Sequence, residues 1–308
     1  MIYTVTLNPA LDRTISIKEI CYDDANRIER EEKYAGGKGI DVSRVLTHLG
    51  TPNRALGFLG GYTGMEIEGI LLQEGIYCEF TQIANETRTN IVLDISTGNR
   101  QVLFSARGAA INPAELTEFF RKLENLKSAR YLVFSGSLPP GLSSVIYARS
   151  IEAAKANGAI TFLDTDGENL KTGMTGKPHI IKPNIHELSR LIGHELSQQS
   201  DIVKAATEIH QRGIEIVLVS MGAKGMLMVT KDQTCLATPP QVKVVNTIGA
   251  GDSAVAGFIH GQTEALPLID SLRYAVAAGT ATTTQNGTAL AHSEDIKKLL
   301  PEVRIRDL

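Results

Sequence analysis

The stretch from Val244 to Phe258, V-V-N-T-I-G-A-G-D-S-A-V-A-G-F, is expected to set a strand end, a glycine-bracketed turn and one carboxylate against a small-residue helix. Gly249, Ala250 and Gly251 let the backbone turn its N–H groups outward, and the helix start adds partial positive charge. The turn therefore suits an anionic group such as a phosphoryl. Asp252 follows. An Asp in the first turn of a helix usually caps free N–H groups or pairs with the dipole, and nothing local to Asp252 asks for more.

The chain has 308 residues, 43% hydrophobic and 21% charged, enough to bury one large α/β core or two smaller ones. Its formal net charge of −3, with Lys and Arg scattered, gives no electrostatic case for nucleic acid or an acidic membrane surface and leaves small-molecule work. Cys21, Cys78 and Cys235 lie far apart without a C-x-x-C pair, so neither a zinc site nor a disulfide framework is expected. Residues 1–7 are too short for a signal segment, and no run of roughly 18 apolar residues occurs. These features fit a cytoplasmic protein.

Ile2 to Leu7 reads as a strand closed by Asn8-Pro9, with Asp12 just beyond, where a carboxylate can meet a ligand outside a strand end. Thr14 to Lys18 alternates apolar and polar residues, Asn26 to Lys33 is highly charged, and Thr87 to Ile95 with Arg100 to Phe104 reads as a hairpin around Ser96–Asn99. Together these thin pieces, about 12–34 and 87–107, are expected to form a four-stranded lid. A helix from Gly64 to Gly75 follows the strand Arg54–Gly60. Beyond Gly108 strands and helices alternate (Tyr131–Phe134, Ser143–Asn157, Ile160–Asp164, Ile202–Gln211, Ile216–Val219), which predicts a mostly parallel sheet covered on both faces.

Gly36-Gly37-Lys38-Gly39 opens a helix that ends near Gly50 and invites a Walker-loop reading. That reading fails, because Gly39 rather than Ser or Thr follows the lysine and the first glycine is absent. Asn184 and Glu187, three apart at a helix start, suit either a hydrated magnesium or a reciprocal capping box, and the spacing fits both. Arg88, in T-R-T-N, offers a planar fork suited to a phosphate dianion or an edge-strand charge.

Taken together, G-A-G-D-S at 249–253, G-G-K-G at 36–39, S-G-S-L-P-P-G at 135–141, K-P-N-I-H-E at 182–187 and T-R-T-N at 87–90 resemble the signatures of the PfkB (ribokinase-like) carbohydrate kinases. The resemblance runs over nearly the whole chain. It implies a single ribokinase-like domain, 1–308: a three-layer α/β fold with a doubly covered, mostly parallel sheet and the small lid inserted in it. The implied activity is ATP-dependent phosphorylation of a ketohexose phosphate. Fructose 1-phosphate is the leading acceptor, tagatose 6-phosphate or fructose 6-phosphate are the alternatives, and a nucleoside or free sugar comes behind them.

The same resemblance makes Asp252 the base, with Gly249, Ala250 and Gly251 holding the transferred charge. It gives the substrate to Asp12, Arg27, Gly36, Gly37, Lys38, Asp41, Arg88 and Ser137. ATP falls to Lys182, Asn184, Ser220, Gly222, Lys224, Gly225 and Gly251. Magnesium falls to Asn184 and Glu187 through water, a monovalent cation is left open, and a homodimer through the lid is implied. Two departures stand out: the phosphosugar branch usually carries Asn where this chain has Asp41, and commonly a G-P pair where it has Ala106-Arg107-Gly108-Ala109-Ala110.

Overall fold

The structure, a computed structural model, describes residues 1–98 and 100–308; Asn99, in the expected hairpin turn, lies outside the described residues. The larger of its two main sheets has eleven strands. Its parallel part runs, in spatial order, Ile216–Ser220, Ile180–Ile181, Ile160–Asp164, Tyr131–Ser135, Ile2–Thr6, Asn53–Gly60 and Tyr77–Cys78, with Thr81–Ile83 also alongside Asn53–Gly60.

Strands buried on both faces read as near-continuous apolar runs, and successive side chains then serve opposite cores. Along Ile2–Thr6, Tyr3 and Val5 pack with Phe119, Leu123 and Ile151, whereas Ile2 packs with Val45, Phe258 and Ala277. Leu132 and Phe134 likewise face the first core and Tyr131 and Val133 the second. The result is a three-layer α/β molecule. Helices Pro113–Glu124, Val145–Ala156 and Gln199–Gln211 cover one face, and Lys38–His48, Ala250–Thr263 and Leu268–Thr283 cover the other.

The second sheet has four strands in the order Arg30–Gly36, Ala10–Ile17, Arg88–Ile95 and Arg100–Phe104. Ala10–Ile17 and Arg88–Ile95 pair in parallel, so the two thin pieces seen in the sequence meet at the centre. Leu11 and Ala35 at its root join a small core with Ile40, Leu59, Ile67 and Leu71. Its outermost strand, Arg100–Phe104, is exposed at every position.

Three features differ from the sequence expectation. The helix expected from Gly64 starts at Gly61, because the Glu86 carboxylate accepts the Tyr62 and Thr63 N–H groups at 3.3 and 2.6 Å and caps the helix from outside its own segment. Met226–Val229, Thr234–Thr238 and Arg304–Asp307 extend the large sheet as antiparallel strands. No helical crossover separates the first two, so the strand–helix rhythm did not announce them. A helix at Gly167–Gly173 was also not expected.

Ala250–Thr263 and Leu268–Thr283 cross on bare backbone. A Cβ on Gly257 would run into the Tyr274 carbonyl. Gly257→Ala is therefore expected to destabilise the protein by about 1–3 kcal/mol through overpacking, read as a lower Tm; an unchanged Tm would contradict so close a crossing.

Candidate active site

The parallel strands deliver their carboxyl ends to one edge, where a chain can leave the sheet and expose side chains to a ligand. Thr6, Gly136 and Thr165 leave neighbouring strands at this edge and, with Asn8, Gly37, Lys38, Arg88, Asn90, Ser137 and Asp166, line a cavity of about 260 Å³ under the four-stranded sheet. That is slightly below the ~300 Å³ at which drug-sized sites begin, and so suits a small metabolite. The Ser135–Gly141 turn is held by its Gly136 carbonyl, which accepts the Tyr147 and Thr165 hydroxyls at 2.8 and 2.7 Å.

Beside the cavity, Asp164 is 1% exposed at the end of its strand, and among the described residues neither carboxylate oxygen completes a hydrogen bond. Two ammonium groups compensate it. Lys182 Nζ stands 3.3 Å and Lys38 Nζ 3.7 Å from Oδ1. The Asp164 carboxylate outweighs burial at Lys38 and holds its pKa above the ordinary lysine value.

Gly249 introduces the last piece, after an irregular stretch in which Val244 and Val245, expected as a strand end, form no strand and are exposed. Its φ of 73° is left-handed backbone, which suits glycine, and it ends the loop at the start of the Ala250–Thr263 helix. Ser253 N–H closes the first turn on the Gly249 carbonyl at 2.8 Å, so the Gly251 and Asp252 N–H groups precede the intrahelical ladder. A Cβ on Gly251 would stand 3.4 Å from Lys182 Nζ, which puts the glycine turn directly against the lysine–Asp164 cluster. Asp252 follows, buried. Its carboxyl is pushed up to about 7, chiefly by burial, with Asp164 and Glu187 adding to the rise and Lys38 and Lys182 opposing it.

Two more carboxyls lie on the substrate side. Asp12 accepts the Asn90 amide at 2.8 Å and is pushed up by burial against the pull of Arg88 and Arg44. Gly36 opposite leaves room for it, since a Cβ there would overlap the Asp12 carboxylate. Asp41 is pushed well up, chiefly by burial and then by the Asp252 charge, with Arg44 at 3.8 Å opposing.

On the nucleotide side, Asn184 and Glu187 form the reciprocal capping box, at 2.9 and 2.8 Å, using Asn184 Oδ1 and Glu187 Oε2. Ser220 N–H donates to the Pro183 carbonyl at 3.0 Å, which brings the Lys182–Asn184 segment and the Ser220–Gly225 turn together. Gly222 and Lys224 bound a short 3₁₀ turn, and Gly225 sits where a Cβ would strike the Ala237 carbonyl.

The structure thus gathers Asp12, Gly36, Gly37, Lys38, Asp41, Arg88, Ser137, Lys182 and the Gly249–Asp252 turn at one sheet edge. Arg27 is not gathered with them; it is exposed in the segment between Ile17 and Arg30. Arg88 lines the cavity but donates to three backbone carbonyls, those of Asn8, Pro9 and Ala106. Sequence reasoning passed over Asp164, Asn8, Asn90 and Asp166. The rule that singled out Asp12, a polar side chain at the carboxyl end of a strand, would have found Asp164 as well.

A family model described as pfkB family carbohydrate kinase matches residues 5–295. The chain belongs to the PfkB family. A 1-phosphofructokinase of Bacillus subtilis is 36% identical over 308 residues, covering 100% of both chains. A tagatose-6-phosphate kinase of Staphylococcus epidermidis is 34% identical over 313 residues, covering 99% of each. The phosphofructokinase-2 of Escherichia coli, solved in complex with potassium, superposes with a TM-score of 0.93 at 34% identity over 98% of both chains. The protein is a PfkB carbohydrate kinase with the ribokinase-like fold, a phosphotransferase, and no helix among its described residues is long and apolar enough to cross a membrane.

The raised carboxyl of Asp252 has a consequence for stability. Between the ordinary value of 3.8 and about 7 the folded kinase keeps a proton that the unfolded chain releases, so this group's contribution falls as pH rises through that window. Asp252→Asn removes the titration. The variant's Tm relative to wild type is expected to be more favourable at pH 8 than at pH 5.5, whereas a difference equal at both would contradict the raised ionisation.

Proposed function

We propose that this kinase transfers the γ-phosphoryl group of ATP to a hydroxyl of a ketohexose phosphate, with fructose 1-phosphate, giving fructose 1,6-bisphosphate, as the leading acceptor. The observation that carries the reading is the buried Asp252 carboxyl at a helix start where the Gly251 and Asp252 N–H groups precede the intrahelical ladder, within the field of Lys38, a lysine that lines a sugar-sized cavity. Asp252 takes the proton of the acceptor hydroxyl as its oxygen attacks the γ-phosphorus, and the bond from that phosphorus to the β,γ-bridging oxygen breaks to release ADP. The Gly251 and Asp252 N–H groups and Lys38 face the charge on the transferring group. Lys182 and the Asn184 and Ser220–Gly225 segments hold the nucleotide phosphates.

Asp12, Asp41, Gly36 and Gly37 supply the acceptors and backbone surface for sugar hydroxyls, and Ser137, Arg88 and Lys38 surround the existing phosphate. Arg88 keeps N–H groups beyond the three it gives to carbonyls, so holding an oxyanion does not require it to let go. The donor set also fits a hydrated magnesium ion: Asp164 has two buried oxygens without hydrogen bonds, and the capping box uses Glu187 Oε2. When bound, the ion would neutralise the nucleotide's phosphates. The potassium in the Escherichia coli relative makes a monovalent cation a fair addition to the assay.

The four-stranded sheet acts as the lid, excluding water from the transfer. Leu103 and Phe104, 63% and 56% exposed on its outer strand, together with Tyr22 and Ile28, favour a homodimer formed through it.

The relatives named as acting on fructose and tagatose phosphates keep tagatose 6-phosphate and fructose 6-phosphate as rival acceptors. Turnover on the three ketose phosphates, with ribose and adenosine as unphosphorylated controls, separates them. The leading reading expects the highest kcat/KM with fructose 1-phosphate; equal or better turnover of ribose or adenosine would overturn the phosphosugar assignment. Asp252→Asn is expected to lower kcat by roughly 10²-fold or more while ATP binding persists, and near-normal turnover would remove the base.

A further inference from the structure

The chain passes between the two sheets four times: at Leu7–Pro9, at Gly36–Gly37, at Asn85–Thr87 and from Ser105 onward. Arg88 stands at the third passage and reaches two of the others. Its Nη2 donates to the Asn8 carbonyl at 2.9 Å, its Nε to the Pro9 carbonyl at 3.3 Å, and its Nη1 to the Ala106 carbonyl at 2.6 Å. Asn8 Nδ2 carries the link onward to the Arg107 carbonyl, Ser137 Oγ and the Leu138 carbonyl at 3.1, 3.2 and 3.3 Å. Asn90 Oδ1 accepts the Ala106 N–H at 3.1 Å. The neighbouring Gly108 completes the joint, since a Cβ there would strike Asn8 Oδ1.

Asn8, Arg88, Asn90 and Ser137 all line the cavity, so the atoms that fasten the passages also form the wall that a ligand touches. A guanidinium has five N–H donors in a fixed plane, and three here are spent on carbonyls of separate segments. An arginine serving only as an anion contact has no need to bind three carbonyls from two distant stretches of chain.

We propose that Arg88, with Asn8, is a positioning residue: a clasp that fixes the passages between the two sheets and transmits the arrival of an oxyanion in the cavity to the four-stranded sheet. One N–H remains on each Nη. An oxyanion held there pins the guanidinium, and through it the entering strand at Asn8–Pro9 and the leaving strand at Ala106. The anion part rests on the phosphosugar reading above; the clasp itself does not.

The test is hydrogen exchange of the full-length protein, followed at residues 105–108 with and without fructose 1-phosphate or inorganic phosphate. It is run for wild type, Arg88→Lys, Arg88→Ala and Asn8→Ala, with residues 131–135 of the central sheet as a folding control. Arg88→Lys keeps the charge, but its single ammonium cannot span three carbonyls. It should therefore exchange about tenfold faster at 105–108 than wild type, lose the protection that either ligand confers, and hydrolyse ATP without transfer at a raised ratio to phosphosugar turnover. Asn8→Ala should speed exchange at the same residues without changing 131–135.

If Arg88→Lys matches wild type in exchange and in wasted hydrolysis, and Arg88→Ala merely raises the phosphosugar KM, Arg88 is an anion contact and the clasp is wrong. Should wild type phosphorylate none of the ketose phosphates, the function reading fails. The ligand-free exchange of Arg88→Lys and Asn8→Ala still decides the clasp in that case.

Discussion

A carboxylate sunk in the sheet edge between two ammonium groups is the constraint on which the rest of this structure depends. Removing a charge from water costs several kcal/mol even after relaxation, and Asp164, with no hydrogen bond to either oxygen among the described residues, is compensated by Lys182 and Lys38 at 3.3 and 3.7 Å. Those three residues come from three parts of the chain: the end of one strand, the segment after its neighbour, and the start of the Lys38–His48 helix. Only the parallel order of the sheet brings them together. Losing both lysines would leave an uncompensated buried charge, a cost of about 3–5 kcal/mol, whereas losing either one leaves the other ammonium on the carboxylate.

The cluster also sets the chemistry. The two ammoniums stand next to a helix start, which is where an anionic nucleotide and a transferring phosphoryl would be received. Asp252 feels both sides of this balance: burial drives its carboxyl up and the two lysines restrain it, leaving it near 7. Asp41 is pushed well up by burial and then by Asp252, with Arg44 the opposing charge and Arg44 itself tied to Glu74 at 2.8 Å.

Much of this was legible in the sequence, and the remainder was hidden for definite reasons. The continuous apolar strands and the two thin β-pieces depend on local pattern and sit where the pattern put them, whereas Val244 and Val245, apolar enough to read as a strand, lie exposed in an irregular stretch because no neighbouring strand pairs with them. Asp164 is different. It reads as the unremarkable end of a strand until the neighbouring strands are laid beside it, because its partners are Lys38, far back along the chain, and Lys182. The early start of the Gly61–Gln73 helix was hidden for the same reason: its cap is Glu86, from outside the helix, whereas helix-start rules look for a neighbour in sequence. For Asn184 and Glu187 the spacing fitted two arrangements, and the side chains do form the capping box. At Arg88 the residue type suggested an anion contact, and the carbonyls it binds belong to passages that only the fold brings near.

The central claim is that Asp252 acts as the base and that its surroundings hold its ionisation close to neutrality. The most direct measurement is kcat/KM for the preferred phosphosugar against pH, from about 5.5 to 8.5 at constant ionic strength. The account predicts an ascending limb with an apparent pKa near 7, its activity falling about tenfold for each pH unit below that value. A profile flat down to pH 5.5 would contradict it, because a base with an ordinary carboxylate pKa would already be fully ionised there.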